Sequence, residues 1–216
     1  MLGALQLAFI DSVNLLLIGV IVAVGIAARH NYAKTTALLI AGDWCGVAGL
    51  ALIMLVIFDG LGPVVQRFVE GPVFGILLIA TGILTAVLAL RGGDNQALVQ
   101  KIMRPLHTPG PATVGTGVVL GLIQSATSLP FYGGLALLSA AGVDAQVRYA
   151  AIPLYATVAL SLPTLAALAV GWVRAKPHSA AARGFDWARA HPDQVTAAAT
   201  WAVAVLLIVL GVTHVM

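Results

Sequence analysis

Apolar residues run through this chain in six long stretches, at about 3–28, 35–58, 72–90, 113–141, 149–173 and 195–215, with the charged residues mostly in the short intervals between them. Each stretch has the ~17–25 residues a helix needs to cross a bilayer. None alternates polar and apolar with period two, so helices are expected rather than barrel strands. The predicted architecture is an all-α polytopic membrane protein, a single transmembrane domain over residues 1–216.

Two stretches break their own pattern. The first, "AFIDSVNLLLIGVIVAVGIAA" (8–28), carries Asp11, Ser12 and Asn14. The fourth contains "GLIQSATSLPFYGG" (121–134), with Gln124, Ser125, Thr127 and Ser128 followed by Pro130. These align as "IDSVNLL" with "IQSATSL", pairing Asp11 with Gln124, Ser12 with Ser125 and Asn14 with Thr127. Further on, "AKTTALLIAGD" from Ala33 aligns with "VRYAAIPLYAT" from Val147, pairing Asp43 with Thr157, and "LLIATGI" (77–83) aligns with "LLIVLGV" (206–212). Three segments recur in one order at similar spacing. Three spans per half is an odd number, so the second half enters the membrane from the opposite face. The expectation is a 3+3 inverted repeat, the architecture of many secondary transporters. Its halves are about 1–90 and 113–216, joined by a cytoplasmic linker at 91–112.

Asp11 and Asp43 both fall about eight residues inside a span, or ~12 Å at helical rise. A charge at bilayer depth costs at least ~2.5–3.5 kcal/mol on insertion scales and marks a bundle interior or a wet cavity. Each carboxyl is held as the neutral acid or faces something cationic; the bland alternative is a hydrogen bond to a neighbouring helix. Asn14, three residues past Asp11, is read on the same helical face. Proline at 130 removes a helix donor and disrupts the preceding turn. Helix 4 is therefore read as proline-broken, kinked or re-entrant, with a ligand near the break. The site reading takes Asp11, Ser12, Asn14, Gln124, Ser125, Thr127, Ser128 and Pro130 as substrate- or ion-binding and Asp43 as the coupling residue. In span 5, Tyr155, Thr157 and Ser161 lie between Pro153 and Pro163. Gly42, Gly46 and Gly49 are read as permitting close helix approach. Cys45 is read as a packing residue and His178 and His214 as peripheral.

Composition agrees: 60% of residues are hydrophobic and 9% charged, against about 25% charged in a soluble domain. Mean hydropathy is +1.01. The net charge of +3 does not indicate nucleic acid, because the basic residues sit in short loops. Arg29, Lys34, Arg91, Lys101, Arg104, Arg174, Lys176, Arg183 and Arg189 fall on one side, and only Arg67 and Arg148 on the other. The richer side is expected to be cytoplasmic, placing both termini outside the inner membrane. No basic region precedes the first run, so a signal peptide is not expected. One cysteine excludes a disulfide framework within the chain. Two loops are read as interfacial or as solvated linkers: "DNQALVQKIMRPL", with Leu98, Ile102 and Leu106 at helical spacing beside Lys101 and Arg104, and "ARGFDWARAHP", with Phe185 and Trp187.

With "AKTTALLIAGDWCGVAGLALIML" and "RGFDWARAHPDQVTAAATWAVAVLLIVLGVTHVM" in view, the chain resembles the lysine-exporter (LysE-like) superfamily. Within it, the chain is most similar to the glycopeptidolipid-addressing (GAP, or Sap-like) family. The resemblance implies six helices in an inverted repeat and export of small amphipathic compounds or movement of envelope lipids. That family's first helix often carries a proline in its polar motif, and "IDSVNLL" has none. The motif here looks like the Asp-Asn motif of the related tellurium- and cadmium-resistance transporters, which leaves substrate class open.

Four functions are compatible: a secondary transporter or exporter, a divalent-metal transporter, an intramembrane aspartyl enzyme, and a non-transporting partner in lipid export. Two carboxylates are few for a metal carrier. The flanks "IDSV" and "AGDW" lack the Tyr-Asp and Gly-x-Gly-Asp contexts of an aspartyl protease, and no HExxH or GxSxG occurs. The reading is an exporter with no enzymatic activity, no cofactor and no resident metal. Its expected partners are membrane lipids and a small-molecule or lipid substrate, without nucleic acid and with homo-oligomerisation open.

Overall fold

The computed structural model describes residues 2–27, 31–91, 106, 108–176 and isolated positions between 183 and 212. Most of the sixth apolar run and of the 91–112 linker, together with His178, His214 and Phe185, lie outside the described residues.

Among the described residues, ten helices follow in order: α1 (Leu2–Asp11), α2 (Leu15–Ala27), α3 (Tyr32–Gly60), α4 (Gly62–Glu70), α5 (Pro72–Arg91), α6 (Pro111–Ala126), α7 (Leu129–Ser139), α8 (Ala145–Ala150), α9 (Ile152–Ala159) and α10 (Ser161–Ala175). No strand occurs among the described residues. The stretch "LLLIGVIVAVGIA" of α2 is rich in β-branched residues that would favour a strand in water. In lipid a lone strand leaves its amides unpaired, so the helix wins. Prolines act as helix starts: Pro63, Pro111, Pro130 and Pro153 each occupy the first or second helical position, where no amide partner is lost.

Only α3, at 29 residues, is long and apolar enough to cross a membrane as an unbroken helix among the described residues. Up to four spans result if each bent pair counts as one: α1 with α2, bent by 49°; α6 with α7, bent by 77°; and α8–α9 with α10, bent by 42°. The first and fifth spans, expected to be continuous, are therefore broken. Neither break has a proline within the gap itself. At the first, residues 12–14 leave the helix and Asn14 caps the next one. At the other, Leu160 interrupts α9 and α10.

Packing defines the directions of these pieces. The broadest contact is between α3 and α6. There Gly42 meets Val114, Gly46 meets Val118 and Gly121 meets Asp43, so numbers rise together and the two helices run parallel. A Cβ on Gly42, Gly46, Gly117 or Gly121 would run into the backbone of the facing helix. Gly49 has open space, so it takes no part in the approach expected of it. Helix α1 packs on α7 in the opposite sense, with Gly3 beside Leu137 and Leu7 beside Gly133. Helix α2 packs along α10, with Gly25 against Val170.

Outward faces are apolar. Ile53, Val56, Ile76, Val119, Ile123, Leu165 and Leu168 are each more than half exposed. An apolar surface of that extent marks lipid contact. The chain is a membrane protein. The interior mixes Phe131, Leu135, Tyr155 and Leu55 with small residues such as Ala8, Ala51 and Ala156. Tyr155 is buried and donates to the Phe131 carbonyl at 3.2 Å, and Gly134 leaves room for its ring.

The two ends of α3 carry different ties. At the Asp59 end, Arg148 of α8 bonds the Asp59 carboxylate at 3.0 Å, and Ser139 donates to the same carboxylate at 2.7 Å. At the Tyr32 end, Arg174 lies 5.1 Å from the Tyr32 ring centre and donates to the Gly25 carbonyl, while Tyr32 donates to the Ala167 carbonyl at 2.9 Å. Leu106, in the linker, is buried with residues of α2, α3 and α6. Trp187, in the second loop, is exposed and stacks on His191.

Candidate functional site

Two helix breaks face each other. Residues 12–14 separate α1 from α2, and residues 127–128 separate α6 from α7. An Asn or Ser ahead of a helix satisfies one of its open amides, which makes a break at depth tolerable. Asn14 Oδ1 accepts from the Leu17 amide at 2.9 Å, and Ser128 Oγ accepts from the Phe131 amide at 3.2 Å. Asp11 and Asn14 therefore do not share a helical face as expected. The chain turns between them, and they reach the same space from two different helices.

Four side chains cross between the breaks. Ser128 Oγ donates to the Asp11 carboxylate, and Asn14 Nδ2 donates to Gln124 Oε1. Gln124 Nε2 in turn reaches both oxygens of Asp43, at 3.1 and 3.0 Å. The run from the Leu17 amide through Asn14 and Gln124 to Asp43 is one directed hydrogen-bond chain. Asp43 is fully buried. Asp11 and Asp43 lie within electrostatic range of each other, and neither is paired with a cation among the described residues.

Beside this chain is a cavity of about 380 Å³, lined by Asp11, Asn14, Gln124, Thr127 and Ser128 with apolar residues including Leu16 and Leu160. Three residues expected to bind do not line it. Ser12 is buried and donates to the Phe9 carbonyl. Ser125 is buried with its hydroxyl unpartnered, and Pro130 is buried in the first turn of α7. Thr127 faces the cavity, but its hydroxyl donates back to the Ile123 and Gln124 carbonyls. Asp43 touches the cavity only through Gln124.

Trp44 Nε1 donates to Thr157 at 3.2 Å, so the repeat partner of Asp43 contacts the residue next to that acid. Sequence reasoning gave Trp44 no role, and it overlooked Gly117 and Gly121, whose four-residue spacing is the signal that could have found them. No group of three or more His, Cys, Asp or Glu side chains converges among the described residues.

The model of the Sap, sulfolipid-1-addressing protein, family matches residues 5–213. No curated protein and no solved structure matches the chain.

Proposed function

The chain belongs to the Sap, sulfolipid-1-addressing protein, family, and from that premise we propose that it is a secondary exporter moving an amphipathic solute or envelope-lipid component across the cytoplasmic membrane. The observation that carries this reading is the polar cavity at the facing helix breaks. Broken helices lining a site near mid-depth are the recurring substrate site of secondary transporters. In this reading Asp11, Asn14, Gln124 and Ser128 meet the substrate. Asp43, joined to them through Gln124, carries a proton that couples transport.

The packing supports a 3+3 inverted repeat of the LysE-like kind, with six spans and both termini outside. If the first span corresponds to the fourth and the second to the fifth, then the contact of the first with the fifth should mirror that of the second with the fourth. Both contacts exist, and both are parallel. The first and fourth spans are each other's partners and pack antiparallel, as alternating spans require. Their breaks fall at aligned positions. Alternating access is movement of the interlocked α3 and α6 against α1 and α2 across these breaks. A metal carrier has less support, because the two acids bond separate partners rather than converging.

Asp11→Asn tests the reading. The amide still accepts from Ser128, so stability in detergent should change by no more than ~1 kcal/mol. Lipid export by protein reconstituted in vesicles should fall by about tenfold or more, equal to a barrier rise of ~1.4 kcal/mol. Unchanged export with a folded variant would remove Asp11 from the mechanism.

A further inference from the structure

A second cavity, of about 280 Å³, lies next to the first. Its wall is apolar, formed by Phe58 at the end of α3, Val64 and Phe68 of α4, Phe74 and Leu77 of α5, and Leu129 with Tyr132 of α7. Ser128 lines the polar cavity and Leu129 the apolar one, so adjacent residues of one turn face the two spaces. Tyr132 lines the apolar cavity, and its hydroxyl donates at 3.1 Å to the carbonyl of Ala126, the neighbour of Thr127, which lines the polar one.

The polar cavity has a definite chemistry. No Lys or Arg lines it, and Asp11 is its formal acid. Helix starts and ends contribute opposite half-charges of about 0.5 each. Two helices end and two begin at these breaks, so their dipoles largely cancel and leave the acid uncompensated. The hydroxyls of Thr127 and Ser128 and the Gln124 amide nitrogen donate to protein acceptors, as does one of the two N–H groups of Asn14. With Asp11 as the formal charge of this lining, the cavity favours a ligand that donates hydrogen bonds and carries no negative charge.

We propose that the two cavities are halves of one lipid site: a donor-bearing, non-anionic headgroup, with hydroxyls or a primary amine, sits against Asp11 and Gln124, and one acyl chain crosses Leu129 and Tyr132 into the apolar cavity under α4. This rests on the transport reading above and gives its substrate class. The adjacency commits the apolar cavity to an acyl chain, because an occupant anchored in the polar half has its tail delivered there. Volumes near the lower end of the ~300–1,000 Å³ range of ligand pockets suit one headgroup and one chain rather than a whole multi-chain lipid. The remaining chains stay in the bilayer.

The test is photolabelling in phosphatidylcholine nanodiscs. Four diacyl probes carry the same diazirine on one chain and differ in headgroup: glucosyl, primary amine, phosphatidylglycerol and phosphatidylcholine. The expected label falls on Phe68, Phe74 or Leu77, about tenfold more from the glucosyl or the amine probe than from phosphatidylglycerol, a ~1.4 kcal/mol preference. Which of the two labels identifies the donor source. Val64→Trp places a ring over the cavity from a side chain that is 65% exposed, so folding is retained, and it should cut that label about tenfold. Equal labelling by all four probes, or label spread over every lipid-facing helix, overturns the proposal. Headgroup-selective label that Val64→Trp leaves intact overturns the chain assignment. If the label behaves as expected but the wild type exports no lipid, the transport reading fails and the site stands. If export proceeds without selective label, the site fails and the transport reading stands.

Discussion

Gln124 has one amide orientation open to it. Asn14 gives its carbonyl oxygen to the Leu17 amide, so its nitrogen must face Gln124 Oε1, and Gln124 Nε2 is left for Asp43. Asn14→Asp would set an acceptor against Oε1. Gln124 could answer by flipping, but its oxygen would then face Asp43. The expected cost is ~1.5–3 kcal/mol, that of a lost hydrogen bond to a charged group. Adding Asp43→Asn supplies a donor for the flipped amide, so the double variant should recover part of that loss, with a coupling of ~0.5–3 kcal/mol in a thermal-unfolding cycle. Simple additivity would mean that the chain does not run this way. The polar residues of this site were legible because each contradicts an apolar run. Their arrangement was not. An Asn capping a new helix and an Asn on the face of an unbroken one read identically in sequence, since the competition of its side chain for local amides is decided by tertiary contacts. Ser12 and Ser125 were legible as polar but not as buried away from the cavity.

Among elements, the α3–α6 contact depends on glycine. A methyl on Gly46 would meet the Val118 carbonyl oxygen at 2.5 Å, so Gly46→Ala should lower stability by ~1–3 kcal/mol, the cost of forced overpacking. Gly49→Ala meets nothing and should be neutral or stabilising by up to ~1 kcal/mol, since alanine is the better helix former. Thermal unfolding in detergent separates them; equal effects would deny the interlocking. Spacing alone puts Gly42, Gly46 and Gly49 on one stripe, and it cannot say where the partner's crossing leaves that stripe. Hydropathy placed the helical stretches of the first five runs to within a few residues, but it missed α4 (Gly62–Glu70). It did not give the breaks at 12–14 and 160, because neither gap holds a proline, and polar residues such as Ser12, Asn14 and Ser161 also fit an unbroken helix. The break at 127–128 was legible from Pro130, which supplies a chemical reason for the chain to stop and restart.

The molecule is tied at both ends. Arg148 and Asp59, each about one-fifth exposed, close the end opposite Tyr32, and Arg174 with Tyr32 closes the other. Arg148→Gln should cost ~1–3 kcal/mol, less than the ~3–5 of a fully buried pair. It should speed amide exchange in α8 and the end of α3 while leaving α10 unchanged. A uniform rise would show that the pair supports the whole fold instead of one end. Basic-residue counts sort Arg174 and Arg148 to different sides, and these two lie at opposite ends of α3, one by Tyr32 and one by Asp59. They could not foretell the pairings, which depend on how the bent helices lean. The glycine interlock has one more consequence. Asp43 sits on α3 and Gln124 on α6, so these two are carried in a common frame and their contact survives any sliding of that frame. Asn14 belongs to the other frame. Among the described residues, the hydrogen-bonded route by which news of what the first helix has captured reaches the sheltered acid is a single amide handshake, and a carrier wired this way keeps its two loads in step largely through one side chain.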